Sequence, residues 1–534
     1  MALPPGLQYL LPQLPLLLAP PAAVLLAAHA ARAFAGTAAP AWALALACVL
    51  SWPVALTALV QLRAHRARYP GGVDLMRRNN SEVEEHIPGA FLLFSLHGYG
   101  WTYNFRMLFQ DRFFTAEPEY IKRILATDFT SYEKGAVFSA QMKSLLGTGV
   151  FNADGDLWKF HRAMTRPFFS RDRISHFDVF DRHAEDALKL AKARLSEGVP
   201  IDWQDLVSRF TLDSATEFLF GQDHDTHDAE HPANRFAHAF LQAQLASARR
   251  SRYTAAWPLW EFWENKVEKH TRGADAQAEE AVADGETLLE HLVKLTDDPQ
   301  IIHDETLNIL LAGRDTTAIT LTMAGYMLAE HPDILQRLRK EILDTVGTRR
   351  PTYDDIRDMK YLRAFINEVL RMYPPVPFNV RFSTAPTVWP SPEGDFYVPA
   401  GTRCMYSVFV MHRRKDLWGP DADKFDPDRF LDERLGKYLT PNPFIFLPFN
   451  AGPRICLGQQ FAYNETSFML IRLLQRVSKI ELHPEVSPQS VAPPGWAASS
   501  ISDGKDKVVF KSHLTMYVQG GLWVTMQFEN PEEH

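Results

Sequence analysis

The run Phe449-Asn450-Ala451-Gly452-Pro453-Arg454-Ile455-Cys456-Leu457-Gly458 constrains this chain more than any other stretch. Gly452 and Gly458 bracket the cysteine and allow backbone to approach a flat ligand closely. Arg454 offers a fixed positive fork suited to a carboxylate. Gln459 to Val477 reads as a helix, with apolar residues repeating toward one face. Cys456 therefore sits just before a helix N-terminus, where the dipole and the free amides favour a thiolate. A thiolate held by amides beside an arginine suits an iron ligand. The plain alternative, a buried structural cysteine in a tight turn, is weak for this pattern taken as a unit.

The other two cysteines, Cys48 and Cys404, lie in an apolar run and a strand-like run and read as small buried hydrophobes. Three scattered cysteines make neither a disulfide framework nor a zinc pattern, and they suit a reducing compartment. The net charge of -8 argues against general nucleic-acid binding. With 534 residues, 46% of them hydrophobic, the chain can bury a large core. His224, His227 and His231, with His238 beyond, match no metal spacing and read as a solvated loop.

Five further features precede the cysteine. Trp158-Lys159-Phe160-His161-Arg162 sets Trp158 and Arg162 four apart on a helix. Ala312-Gly313-Arg314-Asp315-Thr316-Thr317 interrupts an apolar helix from about Ile302 to Glu330, and glycine and threonine are poor choices for a helix interior. Glu368 and Arg371 share one face of a helix over Tyr361 to Tyr373 and can pair. Arg381 follows a proline-rich turn, and Phe425 to Phe430 carries Arg429.

In this order, from about Trp158 to Gly458, the motifs resemble the signature of the cytochrome P-450 superfamily of haem-thiolate monooxygenases. The resemblance implies a mainly helical fold with small β-sheets, covering the chain from near Tyr69 to its end. It makes Cys456 the axial ligand of the haem iron, whose thiolate pushes electron density to favour O–O cleavage. It pairs Arg454, Trp158, Arg162 and Arg381 with the haem propionates and sets Phe449 against the sulfur. Glu368, Arg371 and Arg429 become a buried structural triad that locks the cysteine loop. Thr316 hydrogen-bonds oxygen over the haem and Asp315 relays protons to it, a form of general acid catalysis. For Arg381 a surface charge is the competing reading.

Ahead of this region, Tyr9 to Ala30 and Ala38 to Val60 are apolar stretches with no acidic residue and no lysine. Each approaches the roughly 20 residues that span a bilayer. Arg63, Arg66 and Arg68 follow, so the positive-inside rule places the remainder in the cytoplasm. A cleaved signal peptide ending near Ala28-His29-Ala30 is the alternative; it lacks a preceding basic residue, and a second apolar stretch follows at once. The expected organisation is an anchor region over 1–68, with one or two spanning segments, and a catalytic domain over 69–534. The expected location is the endoplasmic reticulum membrane.

Ala-Gly-Arg-Asp-Thr-Thr and Gly149 to Gly155 are similar to stretches of fungal alkane and fatty-acid hydroxylases and plant fatty-acid omega-hydroxylases. That resemblance implies hydroxylation of long aliphatic chains at or near the terminal carbon, with Phe138, Val150 and Phe151 as candidate pocket walls. Broad oxidation of xenobiotic or aromatic compounds is the second enzyme reading. A haem sensor without turnover and an oxygen-independent isomerase are disfavoured by Asp315 and Thr316. No flavin or nicotinamide domain is expected within the chain. Electrons are then expected from an NADPH-dependent flavoprotein reductase, with cytochrome b5 as a further candidate donor. Arg413, Arg414 and Lys415 are candidate charges on its docking face.

Overall fold

The computed structural model describes residues 10–66, 100–107, 110–170, 177–221, 232–253, 257–261, 264–269, 287–392, 394–491 and 506–529, together with Leu7 and Ile174. His224, His227 and His231 fall outside them, and His238 is exposed on a helix. The described residues hold no group of three or more His, Cys, Asp or Glu side chains able to bind a metal ion.

Two apolar helices open the described chain, α1 (Leu14–Ala35) and α2 (Ala41–Arg66). Both contain stretches long and apolar enough to cross a membrane, and neither stretch is buried in protein. Pro21 lies inside α1 and has no N–H to give to the Leu17 carbonyl four residues before it. The indole N–H of Trp52 on α2 donates to that carbonyl at 2.8 Å. Between apolar helices such a bond satisfies a backbone group that hydrocarbon would leave bare.

The next elements are β1 (Thr102–Met107), β2 (Gln110–Thr115), β3 (Tyr132–Glu133), α3 (Gly135–Leu146) and α4 (Gly155–Thr165). They are followed by α5 (Asp178–Ser196), β4 (Ile201–Asp202), α6 (Trp203–Phe220), α7 (Pro232–Tyr253) and α8 (Leu288–Leu295). Then come α9 (Pro299–Glu330), α10 (Pro332–Val346), α11 (Lys360–Met372) and β5 (Phe378–Ser383). The chain continues through β6 (Thr387–Trp389), β7 (Phe396–Val398), β8 (Arg403–Ser407), α12 (Gln459–Leu474) and β9 (Val477–Leu482). It ends on β10 (Phe510–Ser512), β11 (Met516–Val518) and β12 (Trp523–Phe528). One five-stranded sheet has the order β1-β2-β8-β5-β3, and β4-β12-β9 form a second. The mainly helical class with small sheets is what the structure shows.

The longest helix, α9, runs through the middle of the core and packs along α6. It starts earlier than the apolar pattern indicated, because Asp298 caps the Gln300 and Ile301 amides and Pro299 takes the first position. The same cap separates α8 from α9. Ala312 to Thr317 do not break α9. Thr316 and Thr320 instead turn their hydroxyls back onto the Ala312 and Thr316 carbonyls at 2.7 and 2.8 Å.

Two boundaries differ from expectation. Helix α12 stops at Leu474 rather than Val477, since Val477 already pairs with Phe528 of β12. The strand-like run around Cys404 turns helical at Val408, where Ser407 caps the Val410 amide at 3.1 Å.

Gly325 shows how tightly α9 meets its neighbour. A Cβ there would lie 2.5 Å from Nε1 of Trp203, a fully buried residue of α6. Helix propensity alone favours Gly→Ala by about 1 kcal/mol. The overpacking against a rigid indole outweighs it, so Gly325→Ala is expected to lower unfolding free energy by about 1–3 kcal/mol in denaturant titrations.

Candidate functional site

A cavity of about 490 Å³ opens inside the helical region. Cys456 lies on its wall, as do Thr316 and Thr317 of α9. The cysteine loop is built by backbone geometry. The Cys456 amide donates to the Phe449 carbonyl at 3.0 Å and the Ile455 amide to the Gly452 carbonyl at 3.0 Å. Gly452 adopts φ +67°, and a Cβ there would lie 1.8 Å from the Leu125 carbonyl oxygen, so only glycine fits. Phe449 packs on Tyr463 with ring centroids 5.1 Å apart and also lines the cavity. Burial pushes the Cys456 thiol up, while the Gly458 amide and the Arg162 guanidinium pull it back down. The exposed surface of Cys456 is cavity surface, so the sulfur is open to a ligand there.

Cationic groups gather beside the cysteine. Arg162 donates to the Ile455 carbonyl at 2.7 Å, and Trp158 lies beneath both Arg454 and Arg162, at 4.5 and 5.9 Å. Arg454 binds the Asp154 carboxylate at 2.8 Å and the Ala153 carbonyl at 2.9 Å. Burial and the neighbouring Arg381 push Arg454 down to about 10. Lys134 is pushed well below the usual lysine range by burial, then by Arg381 and Arg454, with Asp154 alone opposing. Arg381 is 2% exposed and lines the cavity, which excludes a surface charge. Asp154 also accepts the Lys134 and Gly135 amides at 2.9 Å each and so caps the start of α3.

On the α9 wall, Asp315 is held from two sides. Gln244 of α7 donates to one carboxylate oxygen at 2.6 Å, and Arg314 approaches the other at 3.2 Å. Glu465 of α12 is fully buried near Thr317, and burial raises its carboxyl well above the usual range.

The loop rests on a buried polar frame. Arg371 binds Glu368 through two bonds, at 2.6 and 2.7 Å, with both side chains fully out of solvent. Its remaining N–H groups reach the carbonyls of His412, Ala422 and Lys424. Glu368 accepts the Asp426 amide at 2.9 Å, and Arg429 Nε stands 3.6 Å from it. Most of the bonding of Arg429 goes to Asp421 and to the Trp418 carbonyl. His412 extends the frame. Its Nδ1 lies 3.2 Å from the Arg371 carbonyl, and its Nε2 accepts the Leu447 amide at 2.9 Å, two residues before Phe449. Sequence reading passed over His412, Lys134 and Gln244, since none carries a local spacing signal.

Arg413 and Arg414 do not form a docking charge. Arg413 is buried against the Phe409 ring at 3.7 Å. Arg414 is buried and bound to Glu117 and Asp416 at 3.0 and 2.5 Å. Lys415 is exposed but paired with Asp423 at 3.2 Å. Trp101 covers Arg414 with its ring 4.6 Å from the guanidinium.

A soft sulfur donor, a flat approach past glycine and a cluster of under-neutralised cations fit an iron porphyrin with two carboxylates. The family model for cytochrome P450 matches residues 91–498. The chain belongs to the cytochrome P450 family. It is 38% identical over 417 residues to cytochrome P450 monooxygenase pvhE of Talaromyces variabilis, covering 72% of this chain and 77% of that one. It is 38% identical over 404 residues to cytochrome P450 52-E3 of Starmerella bombicola, covering 70% and 76%. It is 36% identical over 449 residues to cytochrome P450 52A13 of Debaryomyces hansenii, covering 77% and 81%. This P450 is a monooxygenase that uses haem b and draws electrons from NADPH through a reductase.

Glu368→Gln is expected to destabilise this P450 by about 3–5 kcal/mol, because Arg371 then keeps a buried charge without its partner; thermal and denaturant unfolding measure it. Burial lowers His412 from 6.5 to about 3 in the folded state, with Arg371 and Arg413 adding repulsion. The unfolded chain therefore takes up this proton first. The contribution is intact above pH 6.5 and is lost as pH falls toward 3, by up to about 1.4 kcal/mol per unit. His412→Gln, which cannot ionise, is expected to show a shallower stability loss over that span.

Proposed function

We propose that this P450 hydroxylates long aliphatic chains at or near their terminal carbon. The observation that carries the reading is the cavity: beside Cys456 and Thr316, much of its wall is hydrocarbon, including Phe138, Met142, Leu146, Val150 and Phe151. Such a wall binds a chain through burial of apolar area, worth roughly 0.8 kcal/mol per methylene. The resemblance of Ala312 to Thr317 to the same region of alkane and fatty-acid hydroxylases supports it. A membrane anchor formed by α1 and α2 fits a substrate dissolved in lipid, and their apolar lengths support that role.

Haem bound at Cys456 would supply the chemistry that splits O2, inserting one oxygen atom into a C–H bond while the other leaves as water. The protein's part is binding, charge and proton placement. Cys456 would be the iron ligand, with the Gly458 amide and Arg162 favouring its thiolate against the burial that raises the thiol. Arg162, Arg381, Arg454 and Lys134 would hold the two carboxylates of the cofactor, with Trp158 packed below Arg162 and Arg454. Phe449 covers the sulfur side, and Glu368, Arg371 and Arg429 keep the loop in place. Thr316 carries its proton on Oγ1, now donated to the Ala312 carbonyl, and turns it toward the cavity. Asp315 passes protons inward to Thr316 from the α7 side, where Gln244 and Arg314 hold it.

The catalytic region spans 69–534 and the anchor 1–68. Arg63 and Arg66 at the end of α2 support an endoplasmic reticulum protein with its catalytic side in the cytoplasm. A membrane-bound flavoprotein reductase, with cytochrome b5 as an additional donor, docks on the face nearest Cys456.

Reconstitution with a microsomal reductase, NADPH and a panel of fatty acids, alkanes and aromatics tests this. Terminal or near-terminal alcohols of aliphatic chains are the expected products by mass spectrometry; aromatic products alone would replace the reading with broad xenobiotic oxidation. Cys456→Ala is expected to lose the thiolate-type ferrous-carbonyl spectrum. Thr316→Ala is expected to keep that spectrum and consume NADPH with little product, and tight coupling in this variant would remove Thr316 from the proton path.

A further inference from the structure

Strands β2 and β8 run parallel with Arg112 opposite Arg403, so the two side chains share one face of the sheet. Strand β5 sets Phe382 opposite Arg403 and Arg381 opposite Cys404. Alternation therefore directs the Arg112–Arg403 pair to the opposite face from Arg381. Like charges directly opposite each other destabilise a sheet. Both arginines are nonetheless buried, at 3% and 8% exposure, and both line the cavity.

Neither has an anionic partner among the described residues. Arg403 donates to the Ser251 hydroxyl of α7 at 2.8 Å, and its Nε is unpaired. Arg112 leaves Nε and Nη2 unpaired. Burial and Arg403 hold Arg112 well below the usual range, and burial brings Arg403 down to about 10.

Two other buried arginines have carboxylate partners. Arg250, next to Ser251 on α7, has two bonds of 2.6 Å to Glu261, and Arg371 has Glu368. Arg413, like Arg403, lies against aromatic rings and leaves N–H groups unpaired, but it does not line the cavity. The pair is also distinct from the cations beside Cys456: Lys134, Arg381 and Arg454 act on one another, while Arg403 is the charged neighbour acting on Arg112.

We propose that Arg112 and Arg403 form a carboxylate-binding subsite of the substrate cavity, so that the chain oxidised is a fatty acid rather than an alkane. This rests on the aliphatic-hydroxylase reading above. Two guanidinium forks with free N–H groups match a carboxylate in shape and charge. An anion that enters a largely hydrocarbon cavity must itself travel on a hydrocarbon chain. Held by its carboxylate on the sheet, the chain leaves its other end for the Cys456 side, which gives terminal or near-terminal oxidation a geometric cause.

The test is optical titration of the ferric full-length holoenzyme with a saturated long-chain fatty acid, its methyl ester and the alkane of equal length, at a pH where the acid is ionised. The wild type is expected to bind the acid at least about tenfold more tightly than the ester, as charged hydrogen bonds of this kind imply. Arg112→Leu and Arg403→Leu are expected to lose that preference by weakening the acid alone, with ester binding and the ferrous-carbonyl spectrum unchanged. Arg403→Gln gives a second, milder variant, and the wild-type comparison of acid with ester decides even if a variant fails to carry haem. Equal wild-type affinity for acid and ester, or equal weakening of both in the variants, would overturn the subsite. If chains are oxidised while acid and ester bind alike, the subsite alone falls. If no aliphatic ligand binds or is oxidised, the hydroxylase reading falls with it.

Discussion

Glu368 and Arg371 meet with both charges out of solvent, an arrangement stable only while every remaining donor and acceptor is also satisfied. Arg371 meets that condition by drawing in three backbone carbonyls from the segment after β8. His412 takes the Arg371 carbonyl on one ring nitrogen and the Leu447 amide on the other. Helix α11 is thereby joined to the approach of the cysteine loop through side-chain and backbone bonds. The direction in which Cys456 faces depends on a pair of charges that never touch the cavity.

The cavity itself follows the opposite electrostatic rule. Away from it, Arg250 and Arg371 are neutralised by buried carboxylates. Around it, cations are left under-neutralised in two separate groups, one beside Cys456 and one on the sheet at Arg112 and Arg403. A folded chain carries such destabilisation where bound anions relieve it. The first group fits the carboxylates of the haem that the family uses. The second fits an anion borne by a substrate.

Much of this was legible before any coordinates. The glycines, Arg454 and Cys456 form one short local motif, and their chemistry survives translation into three dimensions because the loop is closed by its own backbone bonds. Glu368 and Arg371 are three apart on one helix, so their pairing is local too. Arg413 and Arg414 misled for the converse reason. Their charge invited a surface reading, and contacts distant in sequence, with Tyr373, Glu117 and Trp101, help remove them from solvent. Val477 reads as a helical continuation until β12, some fifty residues on, claims it as a strand.

By itself the sequence determined the ligand loop, the helical character of the chain and the two apolar helices at its start, because each depends on residues within a few turns of one another. Tertiary structure decided which arginines keep free charge. Arg381, Arg403 and Arg414 look alike along the chain. The sheet sends the first and the second to opposite faces, both on the cavity wall, while Glu117 and Asp416 bind the third. The physical reason is that burial and counterions are set by neighbours distant in sequence, and an arginine's role follows from its surroundings rather than from its own chemistry.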